Sequence, residues 1–170
     1  MRAYGWVMEI PSSLFAFVVA SVPICIEDWR RLRIPNRLLG VVASVVVAVA
    51  LLSIPTGTDL VATVLEPAGF PPGRFARSLA TAALGAVYAG GVLEATRRIT
   101  RGALGAGDVK YGFLLGAAAG PALVSPILLA ASGAAGLYIL ARGGGPVPFA
   151  PFIAGAAGLG CVVSLLGGAA

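Results

Sequence analysis

Long apolar runs recur along this chain, and they constrain its fold more than any other feature of the sequence. Of its 170 residues, 58% are hydrophobic and 11% are charged, whereas soluble domains are usually about 45–50% apolar and about 25% charged. Several runs are long enough to cross a hydrocarbon core of about 30 Å. Because spanning segments must satisfy their own backbone groups, and ten-residue strands of alternating polarity are absent, helices are the expected spanning elements. The sequence predicts an all-α polytopic membrane protein, with residues 1–170 forming one membrane-embedded domain.

About six transmembrane helices can be drawn along the chain. Their predicted ranges are 9–27, 38–54, 78–95, 104–119, 121–141 and 149–167. The fourth and fifth helices are separated at Gly120-Pro121, because proline cannot continue the hydrogen-bond ladder of a helix. The longest connection, residues 55–77, contains the segment TDLVATVLE, for which the pattern predicts a short amphipathic helix.

The basic residues predict how these helices are oriented. Nine of them fall on one predicted side of the membrane: Arg30, Arg31, Arg33, Arg37, Arg97, Arg98, Arg101, Lys110 and Arg142. Three fall on the other side: Arg2, Arg74 and Arg77. The positive-inside rule places the nine in the cytoplasm, which puts both termini outside the cell membrane. This clustering beside apolar runs accounts for the net charge of +5 without a nucleic-acid partner. Because a basic cluster follows the first run rather than preceding it, that run is expected to be a retained helix and not a signal peptide.

Small residues indicate how two of the helices pack. Gly112, Gly116 and Gly120 recur every four residues on one face of the fourth predicted helix, and Gly85 and Ala89 do the same on the third. Faces of this kind let helix backbones approach closely in lipid, where no hydrophobic force drives helices together. The third and fourth helices are therefore expected to pack against each other.

Two aspartates, Asp28 and Asp108, are predicted at the same cytoplasmic depth although eighty positions separate them. Ionisable groups at the end of a span are candidates for function. Gly105 and Gly107 remove side chains around Asp108, so that an extended peptide can approach the acid. Two carboxyl groups held together in a partly dry site share one proton, so the ionised acid can activate water while the neutral acid polarises a carbonyl. The pair predicts peptide hydrolysis without a covalent intermediate.

The rest of the composition excludes several other kinds of site. Histidine is absent, and Cys25 and Cys161 lie in or near apolar segments without the spacing of metal ligands. This excludes His-based catalysis and most zinc or iron sites.

Three segments resemble the motifs of one membrane protease family. GAGD at 105–108, followed by Val109-Lys110, resembles the GxGD-x-K signature of the type IV prepilin peptidases and their archaeal preflagellin relatives. DWRRLRIPNRLL, residues 28–39, looks like the second aspartate motif of that family. VPFAPFIAGA, residues 147–156, is similar to its closing Pro-Phe-x-Pro-Phe segment. The three motifs occur in the family order between about residues 20 and 160.

The resemblance implies a membrane aspartic endopeptidase that acts at the cytoplasmic face without a cofactor. Asp28 and Asp108 would be its catalytic pair, and its substrates would be prepilin-like membrane proteins with a short basic leader. Many bacterial members carry an insert with two Cys-x-x-Cys pairs that is associated with N-methylation; this chain lacks those cysteines, so methyltransferase activity is not expected. The short form is similar both to peptidases of tight-adherence pilus systems and to archaeal enzymes. Proteases of the presenilin type share GxGD but pair it with Tyr-Asp, whereas Glu27 precedes Asp28 here.

Several residues of the motifs are expected to support the acids. Lys110 can hold the charge state of the pair, bind an acidic group of the substrate, or simply extend to the membrane surface. Pro35 and Asn36 are expected to end the first loop and cap the second helix. By analogy with the family, three residues shape the start of the last helix near the active face: Pro148, Phe149 and Pro151.

Three alternatives accompany these expectations. Glu27 and Glu94 can attract a basic leader peptide, although pairing with neighbouring arginines is the simpler expectation. A small proton- or cation-coupled transporter can use two intramembrane acids, but it should place one near mid-membrane and show internal repeats. A non-catalytic assembly partner would keep the scaffold without needing both acids.

Overall fold

The computed structural model describes residues 12–53, 74–102 and 104–167, and these parts of the chain are helical with short connections and contain no strand. Within these ranges the helices are α1 (Ser12–Ala20), α2 (Val22–Arg31), α3 (Asn36–Ser53), α4 (Arg74–Ile99), α5 (Ala106–Arg142) and α6 (Ala150–Gly167). The all-α prediction is confirmed. The predicted amphipathic helix of the connection 55–77 lies outside the described residues.

From Ser12 onward, the first predicted span, 9–27, forms two helices that meet at a bend of 40°, and the second of them extends to Arg31. The bend lies at Ser21, whose hydroxyl donates to the carbonyl of Phe17 at 2.6 Å, and Pro23 follows in the first turn of α2. Proline has no N–H to continue the ladder of α1, so the chain starts a new helix there. The longer helix places Asp28 in its last turn, rather than just beyond a helix as predicted.

The predicted break between the fourth and fifth spans is confirmed, but no loop separates them. Gly120 has φ 70° and ψ 167°, and the residues on either side of it remain helical. A positive φ favours glycine, and Pro121 can begin a helix because its missing N–H has no intrahelical partner there. α5 is thus one kinked element with a first half before Gly120 and a second half after it.

The predicted count of six spans is not confirmed. Ser78–Ile99 within α4 and Ala106–Arg142 are long and apolar enough to cross a membrane, and the bent pair α1–α2 is a third candidate if it counts as one span. The apolar parts of α3 (Asn36–Leu52) and α6 (Ala150–Val163) are shorter. Apolar runs in the sequence therefore overestimate the number of full-length spanning helices among the described residues.

Packing between α4 and α5 follows the predicted glycine faces. α4 and α5 form the most extensive helix pair of the described structure. A Cβ atom added at Gly85 or at Gly116 would run into the backbone of the other helix, and one at Gly112 would run into Leu93. The expected close approach of these two helices is confirmed, and it holds the start of α5 in place.

Candidate active site

Asp28 lies in the last turn of α2 and is almost completely buried, with 4% of its surface exposed. Its Oδ2 accepts a hydrogen bond of 3.2 Å from the backbone N–H of Ala150. Ala150 is the first residue of α6, so the carboxyl group faces the N-terminus of a helix, where unpaired N–H groups favour a negative charge. The first acid is therefore fixed by the closing segment of the chain, 122 positions away.

Asp108 is the third residue of α5 and caps that helix. Its Oδ2 accepts a hydrogen bond of 3.1 Å from the backbone N–H of Gly105, which occupies the position just before the helix. This is one half of a capping box, in which an acid in the first turn bonds back to the residue that begins the helix. The other oxygen, Oδ1, is buried and has no hydrogen-bond partner among the described residues.

The two acids lie at helix ends, within electrostatic reach of each other. The charge of Asp28 acts on the carboxyl group of Asp108. Each acid keeps one oxygen on a backbone N–H of a helix start, Ala150 for Asp28 and Gly105 for Asp108. Arrangements of this kind hold carboxyl groups rigidly while leaving their second oxygens free for a ligand.

The two glycines before Asp108 have different surroundings. A Cβ atom added at Gly107 would lie 2.9 Å from the Cβ of Ile34, so the absence of a side chain at Gly107 lets the loop between α2 and α3 pack closely against α5. At Gly105 an added Cβ would meet the Oδ2 of Asp108 at 3.0 Å. Gly107 thus allows close packing within the protein, and Gly105 is the glycine that borders the acid.

Two of the predicted supporting residues, Lys110 and Asn36, form a contact between the two aspartate motifs, and a third, Pro35, lies just before α3. Lys110 Nζ donates to the side-chain oxygen of Asn36 at 3.0 Å. The carbonyl of Pro35 accepts from the N–H groups of Leu38 and Leu39, and α3 begins at Asn36, two residues before the predicted start of the second span. Since the side chain of Asn36 faces Lys110, the start of α3 uses the Pro35 carbonyl, and Lys110 links α3 to α5.

The closing segment directs the start of α6 towards Asp28. Pro148 is buried, and the carbonyl of Phe149 accepts from the N–H groups of Phe152 and Ile153 at 3.1 and 3.2 Å. Pro151 is the second residue of α6, where its missing N–H is tolerated. The N–H of Ala150 is left for Asp28.

The two glutamates of this region are paired with arginines. Glu27 forms an ion pair of 3.0 Å with Arg31, and Glu94 contacts Arg98 at 2.9 Å and Arg97 at 3.4 Å. The simpler expectation for both residues is confirmed. The exposure of these pairs means that they stabilise the protein little.

Sequence reasoning missed two features of the site. Tyr111 is fully buried three residues after Asp108, and the helical spacing of these positions was the available signal. Trp29, next to Asp28, packs on Tyr138 with ring centres 5.7 Å apart, and Tyr138 packs on Phe152 at 5.6 Å. Trp29 and Tyr138 line an open cleft of about 430 Å³ together with Arg30, Arg142 and Pro148. No pattern joins these residues in the sequence, because they come from three separate helices and a loop.

No group of three or more His, Cys, Asp or Glu residues that could hold a metal ion occurs in the described ranges. The arrangement that remains is an acid pair held by backbone donors. Chemically, such a pair can accept, donate and share protons around a bound molecule.

The apolar helices and the acids at their ends define a helical membrane protein with a candidate hydrolytic site. Residues 14–140 match the sequence model of the type IV leader peptidase family. The chain therefore belongs to this family, and it is a membrane-associated protease. The matched range contains Asp28 and Asp108 and ends before the closing segment. No curated protein and no solved structure matches the chain.

Proposed function

We propose that this protein is a membrane aspartic endopeptidase that removes the short basic leader from prepilin-like or preflagellin-like proteins. The observation that carries the proposal is the meeting of two acids from distant motifs, each anchored through one oxygen to a helix start. Family membership supports a leader peptidase in general. The placement of Asp28 and Asp108 at helix ends supports the aspartic mechanism that we propose.

Hydrolysis by this pair needs one shared proton and one water molecule. The ionised acid takes a proton from water as the water oxygen bonds to the peptide carbon, and the neutral acid gives its proton to the carbonyl oxygen. The resulting gem-diol collapses, the C–N bond breaks, and the leaving nitrogen takes the proton that the first acid received. The second acid recovers its proton from a diol hydroxyl as the new carboxyl group forms, so the pair returns to its starting state. The two acids titrate as one unit.

The proposed site opens to the cytoplasm of a multi-pass plasma-membrane protein with both termini outside. This orientation follows from the distribution of the basic residues. The substrate must be extended at the cleavage point, because a helix uses its carbonyl groups in its own hydrogen bonds. The absence of a side chain at Gly105, beside Asp108, suits the approach of such a strand.

The position of the acids favours this proposal over a transporter. A transporter of this kind is expected to hold an acid near mid-membrane. Asp28 instead lies in the last turn of α2 and Asp108 in the first turn of α5. Helix ends are where an extended substrate can reach a carboxyl group.

Replacement of each acid by its amide tests the proposal. Asp28→Asn and Asp108→Asn are expected to reduce the rate of leader cleavage at least about 100-fold, because each removes proton transfer while keeping size and shape. The assay follows a prepilin-like substrate co-expressed with each variant and measures a leader-sized loss of mass. Glu27→Gln and Glu94→Gln are matched controls that remove neighbouring acids and should cleave normally. Appreciable cleavage by either aspartate variant would refute the dyad.

A further inference from the structure

Tyr111 is the largest fully buried side chain of the described structure, and its hydroxyl has no hydrogen-bond partner there. The ring packs on Phe17 of α1, with centres 5.0 Å apart and planes inclined by 33°. Phenylalanine would make the same ring contact without burying an unsatisfied oxygen. Because a buried polar group without a partner destabilises a protein, the hydroxyl of Tyr111 requires an explanation beyond packing.

The residues around the Tyr111 hydroxyl include a member of the acid pair. Tyr111 interacts electrostatically with Asp28, and its hydroxyl lies within reach of the side chains of Ser21 and Cys25, but no contact there has the geometry of a hydrogen bond. The Ser21 hydroxyl already donates to the carbonyl of Phe17 at 2.6 Å. Tyr111 also follows Asp108 by three positions on α5, which puts both side chains on the same face of the helix.

Two buried side-chain atoms lack a hydrogen-bond partner in the described ranges, and they are Asp108 Oδ1 and Tyr111 Oη. Both belong to the first two turns of α5, and both residues interact with Asp28. An unpartnered oxygen of the acid pair and an unpartnered hydroxyl on the same face of α5 are the groups that a polar atom of a substrate could contact. One of them is a carboxyl oxygen and the other is a neutral phenol that can donate.

We propose that the Tyr111 hydroxyl donates a hydrogen bond to the carbonyl oxygen of the scissile peptide while one acid of the pair activates water and the other transfers its proton to the same oxygen. This inference rests on the proposed peptidase function and adds a third catalytic residue to it. Tyr111 keeps its proton throughout, so the atom and proton balance of the aspartate mechanism is unchanged. The phenol stabilises the negative charge that grows on the carbonyl oxygen during attack.

The chemistry of the site explains why such a donor is needed. When the scissile carbonyl leaves its helical hydrogen bond, it needs a new donor. The aspartate pair carries one shared proton, so it can supply a single donor. The thiol of Cys25 is a weak donor. Tyr111 is the strong neutral donor next to the pair.

Tyr111→Phe is the direct test, because it removes the hydroxyl oxygen and keeps the ring on Phe17. We expect kcat for leader cleavage to fall about 100-fold, the effect of losing one such donor, while KM changes less than about twofold. The thermal stability of the purified variant in detergent should be equal to or higher than that of the unchanged protein, since an unsatisfied buried group is removed. Tyr88→Phe is the control; the hydroxyl of Tyr88 pairs with Ser125 at 2.8 Å on an exposed surface, and its loss should leave kcat unchanged.

The outcomes separate this inference from the proposed function. If Asp108→Asn is inactive and Tyr111→Phe keeps normal kcat, the inference fails and the aspartate mechanism stands. If Tyr111→Phe loses activity together with thermal stability, Tyr111 has a packing role and the inference also fails. If Asp108→Asn remains active, the proposed function itself is refuted. Low kcat with unchanged KM and stability supports the assignment.

Discussion

The contact between Gly85 and Gly116 makes a quantitative prediction about the helix pair that positions Asp108. A Cβ atom at Gly116 would overlap the carbonyl group of Gly85. Backbone atoms cannot rotate away as a flexible side chain can, so Gly116→Ala must push α4 and α5 apart. Overpacking of this kind typically costs about 1–3 kcal/mol.

The same substitution elsewhere on α5 supplies the reference. A Cβ atom at Gly133 would have no other atom within 4 Å. Gly133→Ala should therefore stabilise the helix by about 1 kcal/mol, which is the difference in helix propensity between the two residues. Gly116→Ala has the same propensity gain, so the stabilities of the two variants should differ by the overpacking cost alone, about 1–3 kcal/mol.

Thermal denaturation of both variants in the same detergent, followed by loss of the helical circular dichroism signal, measures this difference. Gly116→Ala should denature at a lower temperature than Gly133→Ala. It should also cleave prepilin-like substrate more slowly, because Gly116 lies two turns after Asp108 on the displaced helix. Equal stability of the two variants would show that α4 and α5 are not held at backbone contact.

Two further predictions concern the acid motifs and the product. Gly107→Ala should reduce cleavage at least about tenfold, because its Cβ would lie 2.9 Å from Ile34 and displace the loop that joins α2 to α3. A second substitution, Ile34→Ala in the same chain, should restore cleavage by providing space. A double variant as inactive as Gly107→Ala would contradict this explanation. When this protein is the processing enzyme, the mature product should carry an unmethylated N-terminus, because the two cysteines of the chain, Cys25 and Cys161, cannot form two Cys-x-x-Cys pairs. Mass spectrometry of the cleaved protein checks this prediction. A methylated terminus in cells without another methyltransferase would contradict it.

Local chemistry explains why parts of the fold could be predicted. The break at Gly120-Pro121 depends on one glycine with positive φ and one missing N–H, both of which are properties of adjacent residues. The start of α3 at Pro35-Asn36 is equally local. The glycine faces of α4 and α5 were visible because a helix brings every fourth residue to one side.

The differences from the sequence expectation have a physical cause as well. Hydropathy counts apolar residues but does not measure the length of the helix that carries them, and the described apolar parts of α3 and α6 are shorter than a full span. The extension of α2 to Arg31 depends on Leu32, whose positive φ of 51° lets its N–H bond to the carbonyl of Asp28. Polar residues near Asp28 suggested a loop, but the backbone stays helical through them.

The sequence by itself determined the chemistry that is available: a helical chain for the membrane, no histidine, and two acids within the range that matches the leader peptidase family. Tertiary structure decided what those acids contact. The bond between Asp28 and Ala150 and the burial of Tyr111 against Phe17 each join residues that are far apart in the chain. A pattern of neighbouring residues contains no information about such contacts, because they depend on how whole helices pack.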